Sequence, residues 1–331
     1  MVQQPRIIHE YRSQGRFVRA GKFDHPMRLA RGIGRATAFH GQRCRWAWNR
    51  LAFLACLLLA TVHLPVATAA GSPLTYAPLP LESLQMTQAR NQPLTHLLSD
   101  LLGRPVEMRL YPDHAALLEA VVGGELDFFE LGPLPLALVR DRVPDVVPLA
   151  SFREPSGEPF YRCVLAAPVD GLTSMDLASE VEPALTVALT RRQSTCGPMA
   201  TFGLLHRHGV DPHGMMAAYV GGHDDVAVAV LREQFVLGGL KESVARRFEG
   251  LGLRVLAASE PLPGFVLAGV PARLAPAELE ALRHRLLELD AAQLALLQNG
   301  AHGFAPVDPA LGARIETMRA FSDPLLDRVR D

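Results

Sequence analysis

Hydrophobic and polar positions alternate between two periods over residues 93–150. Segments with apolar residues at helical spacing alternate with short apolar runs typical of strands. The predicted elements are a helix at 93–102, a strand at 106–110, a helix at 115–122, a strand at 126–129, a helix ending at 140 and a strand at 146–150. Asp113 precedes the second helix as a candidate N-cap. This β-α-β-α-β order favours a mostly parallel sheet covered by helices.

The same alternation restarts after Pro168. It predicts strands at 185–189 and 217–220, helices at 198–208 and 224–232, a weak strand at 235–236, and a tail of helices at 276–290, 291–298 and 309–321. Apolar runs at 161–167 and 253–268 separate the two regions, and we interpret them as crossings between two α/β lobes. The predicted lobe limits are about 71–165 with 263–331, and about 166–262. A cleft between two such lobes commonly binds a small molecule and closes about a hinge.

Residues 1–70 differ in composition from the rest of the chain. The first fifty contain eleven Lys and Arg against two acidic residues, and the next twenty contain no charged residue. An apolar run at 51–64 follows Arg50 and leads into the small residues Val66–Ala70. A basic flank, a short apolar run and small residues at its end are typical of a secretory signal, which we place at about 43–70.

Other interpretations of this leader stay open. An uncleaved segment would anchor the protein, although the run is shorter than the about 20 residues of a spanning helix. Cys56 lacks the lead-in of a lipoprotein cysteine. An overlong translation start, with Met27 as the alternative start, explains the basic stretch better than a nucleic-acid-binding arm. We exclude residues 1–70 from the prediction of the fold.

The chain without its leader is strongly acidic. The whole chain has a formal net charge of −1, but eleven of its 33 basic residues and only two of its 34 acidic residues belong to the leader. An acidic body argues against nucleic acid or an anionic membrane as a partner, since both require basic patches. A hydrophobic content of 49% excludes disorder as the main state.

Cys163 and Cys196 are the two cysteines that follow the leader. One falls in a predicted strand and the other in a predicted loop, which favours two unpaired cysteines and leaves a disulfide open. Export would place them in an oxidising compartment, but a chain of this length does not require a disulfide.

A polar loop, Gln193–Pro198, lies between a predicted strand and a predicted helix. Ser194 and Thr195 supply hydroxyls, and Gly197 allows close approach of the backbone. Free N–H groups and the dipole at a helix start favour an oxyanion. The same Ser-Thr pair would also serve as an ordinary N-cap, so both interpretations stay open.

A second loop, Gly221–Asp225, has the same placement. Asp224 or Asp225 can cap the next helix, while His223 either points toward the cleft or is an incidental exposed histidine. No further His or Cys lies at ligand spacing, so we expect no metal and no cofactor. Gly132, at a strand-to-helix turn, either offers further amide donors or is only a turn residue.

Several segments, in this order, resemble the periplasmic phosphate-, phosphite- and phosphonate-binding proteins of ABC importers. After a Leu-Pro start they are Leu97–Glu107, Ala116–Asp127, Leu131–Pro133, Phe160–Leu165, Ser194–Pro198, Gly221–Asp224 and Ala258–Pro263, within about residues 76–290. The resemblance implies an α/β fold of the type II periplasmic binding protein kind, with two lobes, a hinge and an interlobe cleft.

The resemblance also implies a ligand site. An anion would be held by the first loop, with His223 and Tyr161 closing over it, and His114 stands near the place where these proteins often carry a tyrosine. The expected ligand-binding residues are Ser194, Thr195, Cys196, Gly197, His223, Asp224, Tyr161, Gly132 and His114.

Two departures from the family pattern bear on the ligand. The family usually has Ser-Thr-Ser-Gly in the first loop, whereas Cys196 here replaces the second serine hydroxyl with a weak S–H donor. The family also carries an aspartate that meets a ligand amino group, and Val236 stands in its place. An aminoalkylphosphonate would lose a charge-assisted bond of about 1.5–3 kcal/mol. We therefore expect phosphate, phosphite or a phosphonate with an uncharged tail.

The resemblance implies a solute-binding component of an ABC importer. We expect a periplasmic monomer that binds a small oxyanion and delivers it to an inner-membrane permease, with no nucleic acid as partner. A periplasmic sensory module of the same fold, feeding a signalling partner, is the alternative, because both need the same cleft. An enzyme using Cys196 and His223 is disfavoured, since no serine-hydrolase, zinc-protease or phosphate-loop motif occurs.

Overall fold

Strands and helices alternate along most of the chain. The computed structural model describes residues 72–176, 178, 185–213 and 215–326. The strands are β1 Leu74–Ala77, β2 Val106–Met108, β3 Phe128–Leu131, β4 Val147–Phe152, β5 Phe160–Tyr161, β6 Cys163–Pro168, β7 Thr186–Thr190, β8 Met216–Gly221, β9 Leu237–Lys241, β10 Leu253–Ala258, β11 Leu262–Pro263, β12 Val266–Gly269 and β13 Phe304–Ala305. The helices are α1 Leu84–Leu102, α2 His114–Val122, α3 Pro133–Arg142, α4 Ala200–Arg207, α5 His223–Leu231, α6 Glu242–Glu249, α7 Pro276–Leu287, α8 Ala291–Leu294 and α9 Leu311–Leu326.

The first sheet has six strands in the order β13-β4-β12-β3-β1-β2. β1 is parallel to both β2 and β3, while β12 runs antiparallel to β3 and β4. Both faces of this sheet are covered. On β3, Phe128 packs into one core while Phe129 and Leu131 pack into the other. Strands buried on both faces are largely apolar, and Glu130 is the one polar residue of β3.

The second sheet has five strands in the order β10-β6-β9-β7-β8. β7 is parallel to β8 and β9, and β6 is antiparallel to β9 and β10. It too is buried on both faces, with Val187 and Leu189 of β7 facing one core and Ala188 facing the other. All described residues belong to one compact unit.

A short antiparallel ribbon, β5 with β11, forms a third element of sheet structure. Beside it, Tyr161 and Leu262 pack with Cys163, Cys196 and Ala200 in a small apolar cluster. This cluster lies where the chain passes from first-sheet strands to second-sheet strands. Helix α9 contacts both α3, which follows β3 of the first sheet, and α4, which precedes β8 of the second.

A buried carboxylate organises the loop that follows β1. The Glu130 carboxylate on β3 accepts hydrogen bonds from the Tyr76 hydroxyl, from Asn299 Nδ2 at 2.7 Å and from the Leu79 backbone N–H at 3.4 Å. Burial raises the pKa of Glu130 to about 7. The contact to Leu79 fixes the start of the loop between β1 and α1.

The predicted α/β class with two covered sheets is confirmed, but the sheets are mixed and not mostly parallel. The difference arises because strands that cross between the sheets, such as β6 and β12, enter antiparallel to their neighbours. β6 lies wholly in the second sheet from Cys163 onward. The limits assigned to the two lobes from the sequence stay a prediction.

Several predicted boundaries were wrong. Helix α1 begins at Leu84, capped by the Ser83 side chain, and contains Pro93 in its interior, although Pro93 was expected to open it. A buried face including Leu94 and Leu98 compensates for the missing backbone hydrogen bond. Strands β1 and β13 and helix α6 were not predicted, and the expected strand at 235–236 is β9, which begins at Leu237.

The predicted leader, residues 1–70, lies outside the described residues. Among the described helices, none combines the length and apolar composition that a membrane-spanning helix needs.

The packing beneath the polar loop Gln193–Pro198, the first of the two loops, depends on the absence of a side chain at Gly239. A Cβ atom there would lie 1.7 Å from Thr201 Oγ1 and 3.2 Å from the Cys196 carbonyl oxygen. We expect Gly239→Ala to lower the free energy of unfolding by about 1–3 kcal/mol, because the core cannot take the methyl group without shifting α4.

Gly203→Ala is the matched control for this substitution. It lies in helix α4 with nothing within 4 Å of the added Cβ, so it should stabilise the protein by about 0.5–1 kcal/mol. Urea unfolding followed by circular dichroism measures both. A Gly239→Ala variant as stable as the wild type would contradict this account of the packing.

Candidate ligand-binding site

A cavity of about 310 Å³, including its opening, lies between elements of the two sheets. Because this volume includes space that is open to solvent, the enclosed part is smaller and suits only a small ligand. The lining residues are Leu79, Leu81, His114, Gly132, Pro135, Tyr161, Ser194, Thr195, Cys196, His223, Lys241 and Phe265. Seven of the nine residues expected from the sequence are among them; Gly197 and Asp224 are not.

Three helices begin at the cavity. His114 is the first residue of α2, Gly132 is the N-cap of α3, and His223 is the first residue of α5. The first turn of a helix has N–H groups without intrahelical acceptors, and its dipole places partial positive charge at that end. The cavity therefore favours an anion through backbone groups as well as through side chains.

Thr195 joins the first loop to helix α3. Its Oγ1 accepts a hydrogen bond of 3.1 Å from the Leu134 backbone N–H, in the first turn of α3. Thr195 is also hydrogen-bonded to Tyr161, whose pKa is raised by burial. Thr195 follows strand β7 of the second sheet, whereas helix α3 follows strand β3 of the first. Within the cavity wall, the Thr195 side chain therefore caps a helix of the other sheet.

Gly197 supports this loop from below and does not face the cavity. A Cβ at Gly197 would lie 2.7 Å from Thr190 Oγ1 and 3.0 Å from the Arg191 carbonyl oxygen, so the loop folds back on β7 only with glycine here. Gly197 lies within a five-residue π-helical turn, Thr195–Met199, most of which was predicted as a loop before the helix at 198–208. That wider turn brings Ser194, Thr195 and Cys196 to the cavity together.

Cys196 forms a disulfide with Cys163, with 5.1 Å between the two Cα atoms. The expectation of two unpaired cysteines was wrong, because the π-helical turn at Cys196 packs directly against the first residue of β6. The disulfide removes the S–H donor that the sequence assigned to Cys196. It also means that no Cys196 thiol is present to pair with His223 as a nucleophile.

His223 is held in a single neutral tautomer. Its Nδ1 accepts a hydrogen bond of 3.1 Å from the Lys241 backbone N–H, so the proton is on Nε2. Burial, followed by the positive charge of Lys241, lowers the pKa of His223 to about 3. His223 therefore offers a neutral N–H donor over the physiological pH range.

Asp224 lies outside the cavity and forms an exposed ion pair with Arg247, with 2.7 Å between Oδ1 and Nη2. Asp225 performs the capping instead: its Oδ2 accepts from the Gly222 backbone N–H at 2.7 Å. Among the residues that the structure describes, no group of three or more His, Cys, Asp or Glu is placed to hold a metal ion.

His114 is a buried imidazole without hydrogen bonds. It is 5% exposed, and neither ring nitrogen has a partner among the described residues. Burial, with the positive charge of Arg191 in second place, lowers the pKa of His114 to about 4. A buried polar group left unpaired costs about 1–3 kcal/mol, so a hydrogen bond to the His114 ring would be favourable.

The sequence analysis did not predict Lys241 or the apolar residues of the cavity wall. The Lys241 ammonium group lies 5.0 Å from the ring centroids of both Tyr161 and Phe265. Leu79, Leu81 and Pro135 complete the apolar side of the cavity. Lys241 is the last residue of β9, and ligands of α/β proteins bind at the carboxyl ends of the strands. This position is the signal by which Lys241 could have been predicted.

The comparison with known families decides what kind of protein this is. Residues 76–311 match the family model described as the periplasmic substrate-binding protein of phosphonate ABC transporters. The chain belongs to this family. The expectation drawn from the quoted sequence segments is therefore confirmed, and the family is one of periplasmic proteins that bind the substrate of a transporter.

Several solved structures share the fold. A binding protein component of an ABC phosphonate transporter from Pseudomonas aeruginosa is 21% identical, with a TM-score of 0.62 over 77% of this chain and 88% of that one. PhnD1 from Prochlorococcus marinus, in complex with methylphosphonate, is 16% identical with a TM-score of 0.64, covering 75% and 97%. A protein from Xanthomonas citri bound to ATP is 19% identical with a TM-score of 0.62, covering 78% and 100%. The type II periplasmic binding protein fold is thereby confirmed.

Removal of the disulfide should destabilise the protein strongly. The bridge closes a loop with a sequence separation of 33 residues. For a loop of this length, the loss of chain entropy in the unfolded state corresponds to about 3–4 kcal/mol. Cys163→Ala/Cys196→Ala should lose this amount in urea unfolding, whereas dithiothreitol should destabilise only the wild type. An equally stable double variant would show that the bridge is dispensable.

His114→Phe should stabilise the unliganded protein and weaken anion binding. The phenyl ring fills the same space without unpaired nitrogens, so the free energy of unfolding should rise by about 1–2 kcal/mol at neutral pH. The gain should increase as the pH falls from about 6.5 to about 4, because the unfolded wild type then binds a proton that its folded state refuses.

The exposed His302 gives the matched control, His302→Phe, which should change neither quantity. Urea unfolding across this pH range and isothermal titration with methylphosphonate measure the two effects. A destabilised His114→Phe variant with unchanged affinity would contradict the role assigned to His114.

Proposed function

We propose that this protein captures a phosphonate with an uncharged tail, phosphite or phosphate in the periplasm and delivers it to the permease of an ABC importer. The observation that carries this proposal is the set of donors around the cavity. The neutral Nε2–H of His223, the unpaired imidazole of His114 and the hydroxyls of Ser194 and Thr195 face one small space.

This donor set suits a tetrahedral oxyanion. Thr195 Oγ1 accepts the Leu134 N–H and is hydrogen-bonded to Tyr161, so on ligand binding its hydroxyl proton can turn from Tyr161 to a ligand oxygen. The Leu134 amide and the Thr195 hydroxyl would then be shared with the anion. Neutral donors and helix starts stabilise an anion locally, which removes the apparent conflict with the acidic body of the protein.

The cavity has no acidic residue among its lining residues. An aminoalkyl group of a ligand would therefore enter a space that contains the Lys241 ammonium group and the apolar side chains of Leu79, Pro135 and Phe265. A cation beside Lys241 is repelled, and the Glu154 carboxylate next to Lys241 is already paired with it. The methylphosphonate complex of the Prochlorococcus marinus protein supports the choice of a short, uncharged tail.

Calorimetric titration should rank methylphosphonate, phosphite and phosphate above 2-aminoethylphosphonate. The loss of the charge-assisted contact corresponds to a difference in affinity of about tenfold or more.

Thr195→Val should weaken the binding of the preferred anion by about tenfold, because it removes both the acceptor for Leu134 and the donor for the ligand.

Thr317→Val, which changes an exposed threonine of α9, is the control and should bind as the wild type does. If 2-aminoethylphosphonate bound most tightly of the four anions, the proposed ligand class would be wrong. If none of them bound, the assignment of the cavity as an oxyanion site would fail.

A further inference from the structure

Lys241 carries the only formal charge among the residues that line the cavity. Its Nζ lies 2.7 Å from Glu154 Oε1, and the two side chains are only 13% and 14% exposed. Two aromatic rings, those of Tyr161 and Phe265, hold the ammonium group at 5.0 Å from their centroids. The neutral donors described above do not require this ion pair, so it needs a separate explanation.

The pair joins parts of the chain that belong to different sheets. Lys241 is the last residue of β9 in the second sheet, whereas Glu154 follows β4 of the first. Of the two residues, Lys241 lines the cavity and Glu154 does not. The backbone N–H of Lys241 also fixes the tautomer of His223, so the residue is anchored at the centre of the site.

We propose that Lys241 is a specificity residue that selects doubly charged oxyanions, and that Glu154 competes with the ligand for its ammonium group. This inference rests on the proposed function. Without a ligand the two charges cancel. A dianion in the cavity takes over part of the ammonium charge that Glu154 holds, and its attraction to Lys241 is about twice that of a monoanion at the same distance.

The surroundings make this charge effective. Both side chains are mostly withdrawn from water, where electrostatic interactions are stronger than at the surface. The aromatic faces of Tyr161 and Phe265 attract a cation without neutralising it, so they hold the ammonium group while leaving its charge available. The Glu154 carboxylate, in contrast, repels an incoming anion.

Charge also distinguishes ligands that shape does not. Methylphosphonate and methanesulfonate present similar tetrahedral groups with three oxygens, but only the phosphonate can carry two negative charges. Hydroxyls, amides and neutral imidazoles bind both shapes. A lysine whose charge is partly neutralised in the unliganded state is the feature of this cavity that favours the dianion.

A double-mutant cycle separates ligand contact from structural support. The proteins are the wild type, Glu154→Gln, Lys241→Met and Lys241→Met/Glu154→Gln, titrated with methylphosphonate at a pH where it is doubly ionised. We expect Glu154→Gln to bind at least about threefold more tightly, because the competing carboxylate is gone. The double variant should bind about tenfold or more weakly than Glu154→Gln.

A structural bridge predicts different results. If the ion pair only holds the two sheets together, Glu154→Gln binds more weakly than the wild type, and the double variant binds like Glu154→Gln. Either result overturns the inference. The double variant has no unpaired buried charge, so it keeps the test valid if Lys241→Met alone fails to fold.

Selectivity supplies a second measurement. The ratio of methylphosphonate affinity to methanesulfonate affinity, measured by competition, should fall about tenfold from Glu154→Gln to the double variant, and an unchanged ratio overturns the inference. Arg142→Met/Glu119→Gln removes an exposed pair and is the control, with no expected change in affinity. If the wild type binds no oxyanion, the proposed function itself is refuted. If the wild type binds and all variants have the same affinity, only the role of Lys241 is refuted.

Discussion

The start of helix α3 imposes the constraint on which the site depends. The Leu134 N–H is buried and has no intrahelical acceptor, so it must find one elsewhere, and Thr195 Oγ1 supplies it at 3.1 Å. That acceptor follows a strand of the second sheet, so one backbone donor brings the two halves of the cavity together. Helices α2 and α5 begin at the same cavity. Backbone donors therefore set the position of the site, and side chains refine it.

The disulfide and the glycines under the loop keep this arrangement in place. Cys163 at the first residue of β6 holds Cys196, while Gly197 and Gly239 let the loop lie against β7 and Thr201. A chain with an acidic body can then bind an anion because the local donors are close and oriented, whereas the net charge is spread over the surface and screened by salt. The serine hydroxyl typical of the family is replaced by a covalent anchor for the same loop.

Sequence reasoning located most of the cavity lining but not its internal contacts. His114, His223, Tyr161 and Thr195 were found because loops after strands in an α/β fold converge on one edge, and the family resemblance marked which loops to consider. Asp224 was placed in the site because capping aspartates at adjacent positions are equivalent in sequence. The structure assigns the cap to Asp225 and leaves Asp224 with Arg247. Lys241 was missed because the strand expected at 235–236 ends before it, and a lysine at a strand end is ordinarily solvated.

The sequence by itself determined the α/β class, the family and the loops that line the cavity, because these depend on local periodicity and on short motifs. The tertiary structure alone decided the Cys163–Cys196 bridge, the mixed sheets and the burial of Lys241 against Glu154. Each of these joins residues far apart in the chain. Such contacts depend on how the crossing strands return to their neighbours, and local patterns carry no record of that.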